Sequence, residues 1–251
     1  MKVIAVYNIK GGVGKTAAAV NLSCYAAAGG GRTLVWDLDP QGAATFYLGV
    51  KAKIKGGVKK LVARKHPLAD FIKATDYDRL DIVPADFSYR NMDLRLDETK
   101  KPIQRLRKLL KPLADDYDYV FLDCPPSISL VSENVFQAAD ALLVPTIPTT
   151  LSLRTLLQLM EFTREQGLGD LPVLPFFSMV DKRRQLHRLV VEHPPENIPR
   201  PLETYIPYAS EVERMGVNQA PIAAFAPHGR AARSYEILWE ELRLSLAGLY
   251  H

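Results

Sequence analysis

The chain has 251 residues and a formal net charge of +4, from 32 lysines and arginines against 28 aspartates and glutamates. Hydrophobic residues make up 47%, ample for a core, and no apolar run reaches the roughly 18–20 residues of a membrane span, which excludes a membrane-embedded chain. Two cysteines, Cys24 and Cys124, are too few and too far apart for a metal framework and are expected as buried thiols.

In chain order, the first expected element is a strand at Val3–Tyr7, opening with no charged region and cleavage site of the signal-peptide kind, so a cytoplasmic protein is expected. Residues 8–17 follow as NIKGGVGKTA, and 15–28 read as a helix. A phosphate loop reads G-x-x-x-x-G-K-[ST]: its glycines turn backbone N–H groups inward, its lysine meets the outer phosphates, and its hydroxyl ligates Mg2+. Gly14, Lys15 and Thr16 supply the end of that pattern, and the helix presents its positive N-terminus to the phosphates. Ile9 stands where the pattern wants glycine, and Lys10 is a second lysine inside the same loop.

A strand at Thr33–Asp37 runs into Asp37-Leu38-Asp39-Pro40-Gln41-Gly42. The alternation puts Asp37 and Asp39 on opposite sides of an extended chain, so one position suits only one of them, and Asp39 is favoured for catalysis. Residues 51–65, KAKIKGGVKKLVARK, carry seven basic residues and no acid, the footprint of a polyanion-binding patch or of a solvated surface. Strand candidates continue at Leu80–Val83, Tyr119–Asp123, Ala141–Val144, Val173–Met179 and Leu202–Ile206, with helices near 88–96, 101–115, 131–138, 151–167 and 230–247. Asp123 closes its strand and is placed to hold Mg2+ directly or through water. Further basic groups lie at Lys182, Arg183, Arg184 and Arg188 and at Arg230 and Arg233, while residues 193–201 hold four prolines and read as a loop. The five histidines are scattered and read as surface or packing residues. Near-continuous Val/Ile/Leu strands alternating with helices predict an α/β fold: a doubly wound, mostly parallel sheet with helices on both faces, in a single domain over 1–251.

K-G-G-V-G-K-T at residues 10–16 resembles the deviant Walker A motif of the ParA/MinD ATPases, bacterial switches that position DNA and other cargo. D-L-D-P-Q-G at 37–42 is similar to the switch I segment of the ParA group and D-C-P-P-S at 123–127 to its Walker B segment. Later segments also resemble the family: 80–86, 144–146, 178–188, 206–213 and 220–222. The resemblance implies an ATP-dependent homodimer in which Lys15 serves its own nucleotide and Lys10 reaches the partner's phosphates. It implies nucleotide contacts from Gly11, Gly12, Val13, Gly14, Lys15, Thr16 and Ala17, Mg2+ at Thr16, Asp39 and Asp123, and catalysis by Lys10, Lys15 and Asp39. Ser178 replaces an asparagine that can recognise adenine in the family, which makes Pro207 the better candidate there.

ParA-type members bind non-specific double-stranded DNA through basic residues of their C-terminal half; Lys182, Arg183, Arg184, Arg188, Arg214, Arg230 and Arg233 form the pool here. A ParB-like or cargo-adaptor protein would stimulate hydrolysis, and the ATP dimer would sit on the nucleoid. MinD-type members bind membrane through a C-terminal amphipathic helix. The tail 235–249 carries Glu236, Glu240 and Glu241 on its polar side, so it is expected to pack on the sheet rather than on lipid. A metabolic enzyme of the same superfamily is the third reading.

Overall fold

The computed structural model describes residues 1–63, 66–99 and 101–248. Seven strands form one sheet in the order β3-β4-β2-β5-β1-β6-β7: β1 Lys2–Val6, β2 Thr33–Asp37, β3 Lys73–Ala74, β4 Leu80–Val83, β5 Tyr119–Asp123, β6 Ala141–Thr146 and β7 Val173–Phe177. Every neighbouring pair is parallel except β3–β4, where a two-residue edge strand runs antiparallel. The helices, in order, are α1 Lys15–Ala28, α2 Ala43–Tyr47, α3 Gly57–Val62, α4 Met92–Asp97, α5 Arg105–Leu110, α6 Leu130–Ala138, α7 Thr150–Glu165, α8 Gln185–Glu192, α9 Ser210–Asn218, α10 Ile222–Phe225 and α11 Arg230–Gly248.

The strands are apolar throughout because both faces are covered. Val3, Ala5, Leu34, Trp36, Val120 and Leu122 point into a core shared with residues of α5, α6 and α7. Their neighbours Ile4, Val6, Val35 and Phe121 face the other way, into a core shared with α1 and α11. Period-two alternation thus sends each strand's residues to two different apolar layers rather than to core and solvent.

Two expectations from the sequence need correction. No strand forms at 202–206. Leu202 and Ile206 N–H groups do reach Pro175 O and Phe177 O at 2.8 Å, and Val180 and Pro207 make one isolated bridge. The intervening N–H groups of Glu203 and Thr204 instead donate to the Glu241 carboxylate, the latter at 2.9 Å, and Pro201 and Pro207 have no N–H to give. The helix expected over 101–115 is broken into α5 and short 3₁₀ turns at Pro102–Gln104 and Lys111–Leu113, where the two prolines lack the donor a continuous helix needs. β3, α2, α3, α8, α9 and α10 had no counterpart among the expected elements.

α11 bears on the membrane question. Tyr235, Leu238, Trp239, Leu242 and Leu246 are buried, and the Trp239 ring stands edge-on to Tyr119 at 4.9 Å between centroids. Tyr25 Oη donates to Ala232 O at 2.8 Å, fixing α11 to α1. The apolar stripe is therefore spent on the sheet, as the sequence led one to expect. Among the described residues no helix is long and apolar enough to cross a membrane.

Truncating the buried stripe should be costly and truncating the outer face should not. Leu242→Ala is expected to lower unfolding free energy in urea by roughly 2–5 kcal/mol. Leu244→Ala, whose side chain is exposed, should stay within about 0.5 kcal/mol of the parent. Equal losses at both positions would refute this packing of α11.

Candidate active site

β1 delivers the glycine loop to the carboxyl edge of the sheet, where ligands of parallel α/β folds bind. Asn8 shapes its entry: the side chain donates to Pro145 O at 2.9 Å and accepts from Lys10 N at 2.9 Å. Gly12 and Gly14 have φ of 70° and 93°, a region L side chains rarely adopt. A Cβ on Gly14 would also lie 2.9 Å from Ser178 Oγ. The loop is closed against β7's extension, and that close approach requires the glycine.

Lys15 begins α1, is buried, and its Nζ donates to Lys10 O at 3.1 Å, drawing the ammonium back across the loop. Burial pulls its pKa below the ordinary lysine value, opposed by the charges of Asp123, Cys124 and Asp39. Lys10 differs. Its side chain leaves the loop and its Nζ meets Ser152 Oγ near the start of α7, at 3.4 Å. Two lysines five residues apart therefore point to different places.

The carboxylates also separate. Asp37 and Asp123 end β2 and β5 as directly paired residues, both wholly buried. Asp37 is fully used: its Oδ2 accepts from Thr45 N and Thr45 Oγ1 at 2.8 and 2.7 Å, and its Oδ1 from Asp39 N at 3.3 Å. Burial nevertheless pushes its pKa up to about 6. Asp123 has neither oxygen in a hydrogen bond. Burial and the nearby Asp37 charge hold it well above the usual carboxylate range, while Thr16 and Lys15 work in the opposite direction. An orphaned buried carboxylate beside Thr16 is the donor set a small hard cation fits. Among the described residues no group of three His, Cys, Asp or Glu could hold a metal by itself, so such a cation would complete its shell with phosphate and water. Asp39 is half-buried and its Oδ1 accepts from Gln41 N at 2.9 Å.

The glycine loop, the start of α1 and Asp39 border a cleft of about 370 Å3. Gly11, Gly12, Gly14, Lys15, Thr16, Ala17 and Asp39 line one side, and Pro126, Ser178, Met179, Pro207 and Tyr208 lie among the rest. Val13 is buried beneath the loop, and Lys10 and Asp123 do not line the cleft. Met179 has φ of 55°, the left-handed region, at the point where the chain bends around the cavity. Sequence reasoning did not single out Asn8, Thr45 or Ser152. Asn8 carries a local signal, a polar residue at the strand-to-loop step, whereas the roles of Thr45 and Ser152 arise only from tertiary contact. Cys124 is buried as expected, with its thiol pKa raised by burial; Cys24 is only partly covered.

The basic pool is divided. Lys182, Arg183 and Arg230 line one shallow depression beside Tyr205 and Tyr208, which shares Pro207 with the cleft. Arg183 is paired with Asp181 through two contacts of 2.9 Å. Arg184 precedes α8 and is exposed, and Arg188 donates to Lys182 O at 2.7 Å. Arg214 lies on α9 over the Phe225 ring, and Arg233 is exposed one turn beyond Arg230. Among the described residues His187 is the histidine that the structure draws inside: it is buried and its Nδ1 accepts from Asp181 N, bracing the 181–184 loop.

Comparison with known proteins decides the family. A family model described as "AAA domain" matches residues 1–167. The sporulation initiation inhibitor protein Soj of Bacillus subtilis is 33% identical over 247 residues, covering 96% of this chain and 98% of Soj. The chain belongs to the ParA/MinD family of P-loop ATPases. The chromosome partitioning protein ParA of Myxococcus xanthus is 36% identical over 196 residues, 76% of this chain and 69% of that protein. Among solved structures, an ATP complex of Cyanothece McdA superposes with a TM-score of 0.83 at 21% identity over 96% of each chain, a likeness in fold. The doubly wound sheet expected from the strand pattern is the fold observed.

The buried carboxylates give a pH signature. A carboxyl whose folded-state pKa is raised binds its proton more tightly folded than unfolded, so its stabilising contribution is present at low pH and is lost as pH rises through that folded-state pKa, about 6 for Asp37. With chelator and without nucleotide, Tm should rise on lowering pH from about 7.5 to 5.5, by roughly 2–4 °C for each 1 kcal/mol gained. Asp123→Asn should raise Tm at the upper pH and flatten that rise. Parallel profiles for variant and parent would show that Asp123 carries no buried charge cost.

Proposed function

We propose that this protein is a dimerising switch ATPase that binds non-specific double-stranded DNA as its ATP-held dimer and positions DNA or protein cargo on the nucleoid. Lys10 carries the proposal. Its ammonium is turned out of its own loop toward Ser152, where Lys15 already supplies the in-loop charge. A cation held at the rim in this way suits the phosphates of a second subunit docked face to face.

Within each subunit, backbone N–H groups from Gly11 to Ala17 cradle the phosphates and Lys15 neutralises them. Pro207, with Ser178 and Tyr208 across the cleft, meets the adenine side. Thr16 and Asp123, with Asp39 at the margin, would hold Mg2+, which when bound neutralises charge on the β- and γ-phosphates. Asp39 orients a water whose oxygen attacks the γ-phosphorus as the bond to the β-phosphate oxygen breaks, leaving ADP and phosphate. Lys10 of the second subunit adds positive charge where it develops. Loss of the γ-phosphate removes what Lys10 binds, so the dimer parts and releases DNA.

Relatives named for chromosome partitioning over most of their length support the cellular reading. Lys182, Arg183 and Arg230 in one exposed depression, with Arg184, Arg188, Arg214 and Arg233 outside it, support phosphate-backbone contact, which positions without reading sequence. A ParB-like or cargo-adaptor protein would accelerate an otherwise slow hydrolysis. The packing of α11 on α1 weighs against cycling on a membrane.

Lys10→Ala tests the reading. Binding of fluorescent ADP should stay within about threefold of the parent, because Lys10 does not line the cleft. Dimer formation with ATP, followed by light scattering, should be lost, and hydrolysis should fall by roughly a hundredfold or more, the scale of removing a trans-acting cation. A variant that dimerises and hydrolyses ATP like the parent overturns the proposal.

A further inference from the structure

The run of lysines after α2 is not absorbed by the site. Lys51, Lys53, Lys55, Lys59 and Lys60 are all exposed, yet the backbone that carries them is firmly held. Ile54, Val58, Leu61 and Val62 are buried in the main core. Ile54 N donates to Asp86 Oδ2 at 2.9 Å and Val58 N to Ser88 Oγ at 2.8 Å. Lys73 on β3 donates through Nζ to Lys51 O and Lys53 O at 2.9 and 3.2 Å. Gly56 and Gly57, with φ of 90° and 61°, turn the chain from Lys55 into α3, which Gly57 opens, and a Cβ on Gly57 would meet Ser88 Oγ at 2.7 Å. The result is a fixed platform with cations on its outer side.

Among the described residues no ion pair engages these lysines. Asp86 feels Lys53, but its oxygens already accept from Ile54 N, Ser88 N and Ser88 Oγ. Five exposed lysines within ten residues on a held backbone concentrate positive charge at one part of the surface, which a polyanion would neutralise. Lysines present compact point charges with no planar fork to fix one partner geometry, which suits a regular line of phosphates better than a particular protein side chain.

The platform also adjoins the nucleotide-facing loop. Thr45, which holds Asp37, accepts from Ala85 N at 2.8 Å, and Ala85 precedes the Asp86 anchor. A Cβ on Gly42 would lie 3.4 Å from Ala85 Cβ and 3.6 Å from Ala52 Cβ. β4 and β7 are five strand spacings apart, about 24 Å, so this patch and the Lys182–Arg183–Arg230 depression flank the cleft on opposite sides.

We propose that Lys51, Lys53, Lys55, Lys59 and Lys60 form a second contact for the phosphate backbone of duplex DNA, separate from the basic residues of the C-terminal half. The inference rests on the DNA-binding reading above and assigns it a further surface.

The test is anisotropy of a labelled random-sequence duplex with ATP and Mg2+ across a salt series. It compares the parent, the quadruple variant K51Q/K55Q/K59Q/K60Q and a charge-matched control, K101Q/R107Q/K111Q/R164Q. If all four lysines meet phosphates, the quadruple variant should lose about 3–4 units of log–log salt slope, and Lys59→Gln alone about 0.9. Its affinity at fixed salt should fall tenfold or more, with basal ATP hydrolysis and Tm as in the parent, while the control shifts far less. A quadruple variant indistinguishable from the control overturns the patch and leaves DNA binding by the C-terminal half standing. A parent that binds no duplex in any nucleotide state overturns both. Poly-glutamate binding the parent more tightly than duplex at equal charge, and lost in the quadruple variant, would assign the patch to an acidic protein and also overturn the proposal.

Discussion

Val6, Asp123 and Asp37 stand level across β1, β5 and β2, three neighbouring parallel strands in register, and the chemistry of this protein depends on that alignment. Parallel pairing makes all three strands end on the same edge. The glycine loop that leaves β1, the unpartnered carboxylate that ends β5 and the Thr45-bound carboxylate that ends β2 are brought together without any of their segments being adjacent in sequence. An antiparallel neighbour in the middle of the sheet would send one of them to the opposite side. The single antiparallel pair is confined to the short edge strand β3, where it disturbs nothing at the cleft.

The site that results is held ready at a cost. Two buried carboxylates are paired across β2 and β5, and only Asp37 has its lone pairs satisfied. Asp123, with both oxygens bare, departs most from the rule that buried polar atoms find partners among the described residues. An unsatisfied buried carboxyl beside a buried ammonium and a threonine hydroxyl is unfavourable in isolation and becomes favourable once a cation and phosphates arrive. The left-handed backbone at Gly12, Gly14 and Met179 belongs to the same pattern of local strain gathered around a binding cleft.

Around this centre the exposed charges fall into groups with different support. Lys182 and Arg183 lie on a loop braced by buried His187, and Arg230 opens the helix that packs on α1. The lysines of 51–60 sit on a platform tied by Asp86 and Ser88 to the loop after β4. Lys10 leaves the glycine loop toward Ser152. In each group the backbone that carries the cations is held by specific hydrogen bonds.

Much of this was legible in residue order. Near-continuous Val/Ile/Leu runs declared strands buried on both faces, and the helix-length stretches between them declared a parallel sheet, because only covered strands can be apolar at every position. The glycine loop was legible because backbone N–H groups can converge on phosphate only where glycines permit it. The carboxylates at strand ends were legible from their place after apolar runs, and α11 from its glutamates. What stayed hidden was whatever depends on a partner far along the chain. Leu202–Ile206 reads as a strand, but Glu241, almost forty residues on, takes two of its N–H groups. Asp37 and Asp123 both close apolar strands, and only the fold gives Thr45 to one and leaves the other bare. Lys10 and Lys15 share one loop, yet Ser152 on α7 decides that they diverge. Local sequence determines what a segment can donate, accept or bury; the tertiary structure decides which distant group is there to meet it.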